Sequence, residues 1–366
     1  MRKVGIMSMQ RIANYGSFLQ AYALKQLIEE VGCNVEFVDY HVGAPVIAEN
    51  ADSKNKVVRK IEKGLETFRY RAPLAHKLSF IRYKQSFARK YMPLLGIADE
   101  MNYNPTVDCL VIGSDEVFNC IQKNSNVGYS PELFGKNNHA KKLITYAASF
   151  GNTTLVKLEK YKKTDEVGAL LKKFDAISVR DANSGAIVEQ LTGKEPLYNL
   201  DPVLTYDYMN CCDKIPQVQT NEKYLILYAY AGRISNEEAD WISDYAKKKK
   251  LKVYAIGGIQ KCADRFVDCS PFEVLAYFRN AEEVITDTFH GSIFSVITHR
   301  PFTTLIRKSV GNSYGNEEKL SDLLKRLKLA DRMTTKIEDA ENINEKTIDY
   351  AKVDELLKAH REVAKE

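Results

Sequence analysis

Five residues in the C-terminal third could bind and protonate a negatively charged group: His290, Gly291, Ser292, Arg307 and Lys308. The first three stand at the start of a helical pattern, where backbone N–H groups lack intrahelical partners and favour anions. A glycine there lets a ligand approach the backbone closely. Because histidine changes its charge near neutral pH, His290 can also carry a proton. The same residues are equally compatible with a helix-capping histidine beside two surface cations.

The residues around His290 predict a strand, a tight turn, a helix and a second strand. A short apolar run at 284–285 is followed by a helical pattern at 293–297 and a strand-like run at 302–306, which Arg307 follows directly. In such a parallel unit the turn and Arg307 both lie at the carboxyl edge of the sheet. Open α/β sheets bind their ligands at that edge.

A polar loop near the N-terminus offers a second set of candidate groups. It carries Asn14, Tyr15, Gly16 and Ser17 just before a helical pattern at Phe18–Val31, within a strand, loop, helix and strand unit. These groups suit a substrate hydroxyl or an anion. A plain helix N-cap with a turn glycine is the alternative interpretation.

Two further strand ends carry charged residues. One buried strand ends in Ser114, Asp115 and Glu116, and a later strand delivers Arg180, which Asp181 follows. Both ends place polar groups at a carboxyl edge, where they could face a ligand. The alternative for Arg180 is an ion pair with Asp181 or with a carboxylate on a helix.

The composition indicates a folded protein of two domains. The chain has 366 residues, of which 45% are hydrophobic and 28% charged, as in ordinary globular proteins. The net charge of +5 is too small to indicate nucleic-acid binding. The seven cysteines show no CxxC pair and no spacing that suits zinc, so we expect reduced thiols and no metal site. Without an apolar stretch near 18 residues or a signal sequence, we expect a cytoplasmic protein.

One basic segment departs from this composition. Between Lys54 and Lys90 there are twelve Lys or Arg residues against two acidic ones, Glu62 and Glu66. Apolar residues recur there at helical spacing, which predicts a basic amphipathic helical pair. Its charged side is either an ordinary solvated face or a patch at 54–90 that meets anionic lipid or a lipid-linked diphosphate at the inner face of the membrane.

Two α/β series follow each other along the chain. We predict an N-terminal Rossmann-like domain at 1–212, with the basic helical insertion around 52–91, and a C-terminal Rossmann-like domain at 213–366. A polar, proline-containing stretch at 213–222 separates them. We expect the last helix, Val353–Val363, to pack back across the N-terminal domain.

The motifs resemble those of the polysaccharide pyruvyl transferase family and occur in the family's order, so the resemblance covers most of the chain. At Glu116 and Phe118 the family pattern more usually has Gln and Trp, so the role of that loop is open. The motifs are Asn14-Tyr15-Gly16-Ser17, Gly113-Ser114-Asp115-Glu116-Val117-Phe118-Asn119, Ser178-Val179-Arg180-Asp181, Leu200-Asp201-Pro202 and Thr288-Phe289-His290-Gly291-Ser292.

The resemblance implies an α/β fold of two Rossmann-like domains facing across a cleft, similar to the GT-B arrangement of glycosyltransferases. It also implies transfer of the pyruvyl group of phosphoenolpyruvate onto two hydroxyls of a sugar, as a cyclic ketal with release of phosphate. The acceptor would be a cell-surface glycan or its lipid-diphosphate-linked precursor. Phosphoenolpyruvate is then a donor substrate, and no cofactor is expected.

That reaction assigns roles to the candidate residues. The carboxylate and phosphate of the donor need two cations, which Arg180 and either Arg307 or Lys308 would supply from the two domains, together with Gly291 and Ser292. His290 would carry the proton for the enol carbon, and Asp115 would accept the proton of an acceptor hydroxyl. The residues expected to bind the acceptor are Asn14, Tyr15, Gly16, Ser17, Ser114 and Glu116.

Two other functions fit the same frame. A GT-B nucleotide-sugar glycosyltransferase would hold a diphosphate on the same helix starts and cations. A relative that binds glycans without catalysis would also keep the fold, although His290 and Arg180 argue against it. A dinucleotide oxidoreductase is disfavoured because no GxGxxG follows a strand.

Overall fold

The computed structural model describes residues 1–47, 67–122, 124–308 and 316–365. The chain forms two six-stranded parallel sheets, each flanked by helices. The first sheet has the order β2-β1-β3-β4-β5-β6. Its strands are β1 (Lys3–Met7), β2 (Asn34–Phe37), β3 (Cys109–Asp115), β4 (Lys142–Ala148), β5 (Ser178–Val179) and β6 (Leu197–Tyr198).

The second sheet has the order β12-β11-β10-β7-β8-β9. Its strands are β7 (Tyr224–Tyr228), β8 (Lys252–Ile256), β9 (Arg265–Phe266), β10 (Glu283–Thr286), β11 (Phe302–Leu305) and β12 (Met333–Thr334). The predicted domain boundary at 212/213 lies in the connection between β6 and β7. We call the parts on either side of this connection the first half and the second half.

Helices connect the strands in both halves. Those of the first half are α1 (Tyr15–Glu30), α2 (Leu74–Tyr91), α3 (Leu155–Lys160), α4 (Thr164–Leu171), α5 (Ala182–Thr192), α6 (Pro202–Thr205) and α7 (Tyr208–Cys211). Those of the second half are α8 (Asn236–Lys249), α9 (Pro271–Asn280), α10 (Phe289–Ile297), α11 (Glu317–Arg326), α12 (Ala340–Glu345) and α13 (Tyr350–Val363). Short 3-10 helices lie at Met92–Leu95, Pro131–Phe134, Ala330–Arg332 and Ile337–Asp339.

Each sheet contains one point at which the order of its strands reverses. In the first sheet β1 lies between β2 and β3, and in the second β7 lies between β8 and β10. The loops that follow the two strands at a reversal diverge and leave a crevice at the carboxyl edge of the sheet. The fold therefore offers two crevices, one after β1 and β3 and the other after β7 and β10.

Aromatic side chains join the two halves. The ring of Phe18 on α1 contacts Phe272 on α9 edge to face, with centroids 5.7 Å apart. Nearby, the buried hydroxyl of Tyr15 donates a hydrogen bond of 3.0 Å to the carbonyl oxygen of Cys269. One hydrophobic cluster runs through both halves, whereas a second, on the other face of the first sheet, lies within the first half alone. This packing fixes how the two carboxyl edges face each other.

Two helix predictions need correction. The helix predicted at Phe18–Val31 begins three residues earlier, because the side chain of Asn14 accepts a hydrogen bond from the backbone N–H of Ser17 and caps the helix. The single helix that the apolar pattern predicts at 155–173 is instead two helices, α3 and α4. Lys162 lies between them with a φ of 54°, a left-handed conformation that ends the first helix.

The basic segment is described only in part, because residues 48–66 lie outside the described residues. Its second predicted helix is α2, but the face expected to be apolar is exposed at Leu74 and Leu78. Phe80, Tyr83 and Phe87 form the buried face instead. Among the described residues, no helix combines the length and the apolar character needed to cross a bilayer.

The last helix of the chain contacts the first half. Arg361 on α13 donates a hydrogen bond of 2.8 Å to Asp207, and the ammonium group of Lys365 lies 3.3 Å from Glu30. The end of the chain thus lies against the N-terminal part of the molecule.

Candidate active site

A cavity of about 620 Å³ opens between the carboxyl edges of the two sheets. Both crevices contribute to its wall, since the lining includes residues after β1 and β3 as well as residues after β7 and β10. Charged and polar side chains of the two halves therefore converge on one space. The polar lining comprises Asn14, Ser17, Asp115, Glu116, Asn119, Gln122, Asn124, Asn152, Lys157, Lys160, Tyr161, Arg180, Tyr230, Arg233, Asp287, Thr288, His290 and Lys319.

His290 reaches the cavity from the first turn of α10. Thr288 caps this helix, and its hydroxyl accepts a hydrogen bond of 2.9 Å from the backbone N–H of Gly291. The Nε2 atom of His290 is buried without a hydrogen-bond partner among the described residues, 3.8 Å from the carboxylate of Asp201. Burial lowers the pKa of His290, and the charges of Asp201 and Asp115 act in the opposite direction. An anion bound nearby would raise this pKa and favour the protonated ring.

Arg180 is buried in the floor of the cavity between two carboxylates. Its guanidinium donates hydrogen bonds of 2.9 Å to Asp201 and 3.3 Å to Asp115, and it lies 4.5 Å from the ring centroid of Phe289. Burial by itself would lower the pKa of Arg180, but Asp115 and Asp201 raise it. Arg180 does not pair with Asp181, whose carboxylate caps α5. The planar fork of Arg180 thus connects the end of β5 with the ends of two other elements.

Asp115 lies at the end of β3 with a φ of 78°, a left-handed conformation that side chains other than glycine rarely adopt. Its carboxylate accepts a hydrogen bond of 3.0 Å from the hydroxyl of Ser17 and one of 2.9 Å from the backbone N–H of Glu116. Asn14 and Ser17 line the cavity beside it. These polar atoms could bind a hydroxyl group of a ligand.

Three other residues predicted to bind the acceptor lie behind the cavity wall. Tyr15 contacts the second half through Cys269, and Gly16 packs directly under the ring of His290. Ser114 is fully buried and its hydroxyl lies 3.4 Å from Asp201. None of the three is part of the lining among the described residues.

Gly291 and Ser292, predicted to bind the donor, also lie outside the lining. A Cβ atom at Gly291 would lie 2.1 Å from the hydroxyl oxygen of Thr286, so this glycine permits close packing of α10 on β10. The hydroxyl of Ser292 donates to the carbonyl oxygen of Thr288 and lies 2.9 Å from that of Thr304 on β11. Both residues have structural partners where the sequence predicts a ligand.

The structure does not bring Arg307 and Lys308 to the lining of the cavity. The guanidinium of Arg307 forms two hydrogen bonds with Glu238 on α8, of 2.5 and 3.0 Å. Lys308 is exposed. The strand end lies at the predicted edge, but the side chain of Arg307 is held by a carboxylate that the local sequence does not reveal.

Glu116 and Phe118 have different environments, although they belong to the same motif. The carboxylate of Glu116 lines the cavity and lies 3.1 Å from the ammonium group of Lys319 on α11, which links the two halves. The ring of Phe118 is fully buried and stacks on Phe134 at 4.7 Å. Phe118 is therefore a core residue, whereas Glu116 can meet a ligand, as can Asp115 and Asn119 of the same motif.

Four charged residues of the site, Asp201, Arg233, Asp287 and Lys319, were not assigned a role by sequence reasoning. Asp201 belongs to the Leu200-Asp201-Pro202 motif. A proline is common in the first turn of a helix, so Pro202 was the signal that Asp201 caps a helix start. Asp287 lies three residues before His290, in the turn that the sequence does predict. For Arg233 the available signal was its place in the loop after a strand, at the same carboxyl edge. Lys319 has no local signal, because its position depends on α11.

The family of the chain follows from its sequence. A family model described as polysaccharide pyruvyl transferase matches residues 14–309. The chain belongs to the polysaccharide pyruvyl transferase family. No curated protein matches the chain by sequence. The matched region contains every lining residue of the cavity except three that lie outside it, Met9, Ile12 and Lys319.

Solved structures that are similar to this family member match it at low sequence identity. The UDP-GlcNAc 2-epimerase of Methanocaldococcus jannaschii is 9% identical, with a TM-score of 0.51 over 95% of this chain and 93% of that one. The spinosyn rhamnosyltransferase SpnG is 9% identical, with a TM-score of 0.45 over 98% and 96% of the two chains. The O-GlcNAc transferase of Thermobaculum terrenum is 12% identical, with a TM-score of 0.42, and the present chain spans 64% of its length. The fold of this pyruvyl transferase family member is thus GT-B-like.

Proposed function

We propose that the protein transfers the pyruvyl group of phosphoenolpyruvate onto two hydroxyls of a sugar in a cell-surface glycan or its precursor, forming a pyruvate ketal and releasing phosphate. One observation carries this proposal. A histidine of the second half presents a buried Nε2 atom without a partner, 3.8 Å from the carboxylate that holds Arg180 of the first half. A proton carrier and an arginine thus meet at one cavity in a chain of the pyruvyl transferase family.

The cations of the cavity support a donor with several negative charges. Lysine and arginine side chains line the wall at five positions among the described residues: Lys157, Lys160, Arg180, Arg233 and Lys319. Arg180 from the first half and Arg233 from the second are the pair that we propose for the donor, because arginine binds carboxylate and phosphate groups bidentately. Arg233 takes the role that the sequence suggested for Arg307 or Lys308.

The acceptor would occupy the side of the cavity formed by the first half. Asp115 is the proposed base for an acceptor hydroxyl, and the hydrogen bond from Ser17 orients its carboxylate. Asn14 and Glu116 offer further polar atoms there. In this arrangement the acceptor hydroxyl and the proton carried by His290 approach the donor from different halves of the molecule.

Ligand binding distinguishes this function from that of a nucleotide-sugar glycosyltransferase. We expect the wild-type protein to bind phosphoenolpyruvate in a calorimetric titration more tightly than UDP. Binding of UDP without binding of phosphoenolpyruvate would overturn the proposal and favour the glycosyltransferase.

Activity is then tested with acceptors that carry a free diol. We expect release of phosphate from phosphoenolpyruvate, together with a ketal product in mass spectrometry, for at least one p-nitrophenyl hexopyranoside with free 4- and 6-hydroxyls or for the same sugars linked to farnesyl diphosphate. Turnover of only the diphosphate-linked sugars would identify a lipid-linked acceptor. Binding of phosphoenolpyruvate without turnover of either series would favour a relative that binds its ligands without catalysis.

A further inference from the structure

The carboxylate of Asp287 lies in the cavity wall without a hydrogen bond. Asp287 directly follows β10, three residues before His290, and its side chain is fully buried. Within the part of the chain that the structure describes, both carboxylate oxygens lack a hydrogen-bond partner. The nearest cation there, Arg233, lies 3.7 Å away, which is beyond hydrogen-bonding distance.

The two carboxylates that contact Arg180 have hydrogen-bond donors. Asp201 accepts hydrogen bonds from Arg180 and from the backbone N–H of Val203, and Asp115 accepts them from Ser17 and Glu116. A buried polar group without a partner is destabilising, and a charged group more so. A carboxylate left in this state on a cavity wall therefore indicates a group whose partner is a ligand.

The surroundings of Asp287 make its charge sensitive to an anion in the cavity. Burial raises its pKa, and Glu238 on α8 acts in the same direction. Arg233 after β7, Arg307 after β11 and Lys319 on α11 lower it. An anionic donor bound to Arg233 would offset the cation nearest to the carboxylate. Asp287 would then take up a proton more readily than in the free protein.

Ketal formation from an enol phosphate requires two proton deliveries. Both acceptor hydroxyls lose a proton, the methylene carbon of the donor gains one to become a methyl group, and the departing phosphate oxygen gains the other. A single histidine cannot carry both protons at once. His290 and Asp287 are two titratable side chains on the same turn that line the cavity. The Nε2 atom of His290 and both carboxylate oxygens of Asp287 have no hydrogen-bond partner among the described residues.

We propose that Asp287 is the acid that protonates the departing phosphate, whereas His290 delivers its proton to the enol carbon. This assignment rests on the proposed transfer of pyruvyl groups. The position of Arg233 supports the division of roles, because a phosphate bound by Arg233 would lie beside Asp287.

The proposed steps balance in atoms and charge. In the first, the oxygen of one hydroxyl bonds to the central carbon of the donor, its proton passes to Asp115, and the electrons of the carbon–carbon double bond take the proton of His290. In the second, the bond between that carbon and the phosphate oxygen breaks, and the oxygen takes the proton of Asp287. The second hydroxyl then bonds to the same carbon and returns a proton to His290. Exchange with water moves the proton of Asp115 back to Asp287.

Proton uptake on donor binding tests the assignment without an acceptor. Calorimetric titrations with phosphoenolpyruvate in buffers of different ionisation enthalpy measure the protons that bind with it. We expect Asp287→Asn to take up fewer protons than the wild type when phosphoenolpyruvate binds. At the pH between 5 and 8 where the difference is largest, it should reach up to about one proton per bound donor. The matched control is Asp207→Asn, because Asp207 pairs with Arg361 away from the cavity; it should behave as the wild type does.

Turnover in D2O with an acceptor that the wild type uses separates the two acids. We expect Asp287→Asn to slow phosphate release on the order of 10²–10⁴-fold, while deuterium still enters the methylene group of recovered phosphoenolpyruvate by reversal of the first step. His290→Gln should prevent both. The Tm of Asp287→Asn should be no lower than that of the wild type, because the substitution removes a buried charge without a hydrogen bond.

The outcomes distinguish this inference from the proposed function. If the wild type neither binds phosphoenolpyruvate nor releases phosphate from it, the proposed function itself fails. If the wild type is active and Asp287→Asn keeps more than half of its phosphate release, Asp287 is not the acid. Unchanged proton uptake in that variant would overturn the assignment in the same way.

Discussion

The imidazole ring of His290 packs directly on the backbone of Gly16. A Cβ atom at Gly16 would lie 2.3 Å from Nδ1 of the ring, much closer than real side-chain atoms approach each other. Gly16 belongs to the first half, and its helix begins at the N-cap Asn14. The motif around Asn14 therefore shapes the site by leaving room for a histidine of the other half.

This contact predicts that Gly16→Ala displaces the ring of His290. A misplacement of about 1 Å in an active site can reduce the rate on the order of 10²-fold, and we expect a loss of this size in turnover. Alanine is the better helix former by up to about 1 kcal/mol, so the loss would not come from a weaker α1. Steady-state assays of phosphate release, with thermal unfolding of the same samples, check this prediction.

Gly168→Ala is the matched control for Gly16→Ala. Gly168 also lies in a helix, but a Cβ atom there would be 3.6 Å from its nearest neighbour. We expect normal turnover for this variant. Normal turnover in Gly16→Ala as well would show that the ring of His290 tolerates the displacement.

His290→Gln should reduce turnover on the order of 10²–10⁴-fold in a folded protein, because it removes the proposed proton carrier. Its effect on stability depends on pH. Burial lowers the pKa of His290 in the folded state, so the unfolded chain binds the proton more readily, and the stability of the wild type falls as pH drops below about 6.5. Denaturant unfolding at pH 8 and pH 5 should show that the free energy of unfolding falls less between these two pH values in the variant than in the wild type. More than half of wild-type turnover would make His290 a structural residue.

Arg180→Lys keeps the positive charge but removes the planar guanidinium group that donates hydrogen bonds to both Asp201 and Asp115. We expect donor binding to weaken by roughly 1–3 kcal/mol, the cost of a lost charge-assisted hydrogen bond, as measured by calorimetry with phosphoenolpyruvate. Arg361→Lys changes an arginine on α13 that pairs with Asp207 and serves as the control. Equal donor affinity in Arg180→Lys and the wild type would place Arg180 outside the donor site.

The exposed face of α2 predicts binding to anionic membranes. The stretch Thr67–Tyr91 contains seven Lys or Arg residues and no acidic one, and the side chains of Leu74 and Leu78 are exposed on α2. Each cation near an anionic surface contributes about 1 kcal/mol, and salt screens the effect within about 8–10 Å. We expect the protein to sediment with anionic vesicles at low salt and to remain in solution at high salt.

Charge-reversal variants test whether the membrane-binding surface lies on α2. Arg82→Glu combined with Arg89→Glu, both exposed on α2, should weaken sedimentation at low salt. Lys172→Glu combined with Lys173→Glu reverses two exposed cations after α4 and should leave it unchanged. Arg59, Lys60 and Lys63, also part of the basic segment, lie outside the described residues. If the wild type does not sediment at low salt, the segment is an ordinary solvated face and a soluble acceptor is favoured.

Local sequence patterns are sufficient to predict the strands and helices around the site and the position of several of its residues. Hydrophobic patterns predicted the strand, turn and helix around His290, because burial on one face of an element leaves a periodic signal. The family motifs predicted that Asp115, Arg180 and His290 belong to one site, and all three line the cavity. Such signals lie within a few residues of each other, so the sequence carries them directly.

Which side chains meet in the cavity depends on contacts between distant parts of the chain. The order of the strands brings the ends of β1 and β3 opposite those of β7 and β10, and neighbours along the chain do not reveal that order. Glu238 pairs with Arg307, 69 residues away, and so removes a predicted ligand from the site. The backbone at Asp287 was predictable, whereas the lack of a hydrogen bond to its carboxylate was not. Whether a charged side chain finds a partner within hydrogen-bonding distance depends on every element packed around it, and the fold alone sets those distances.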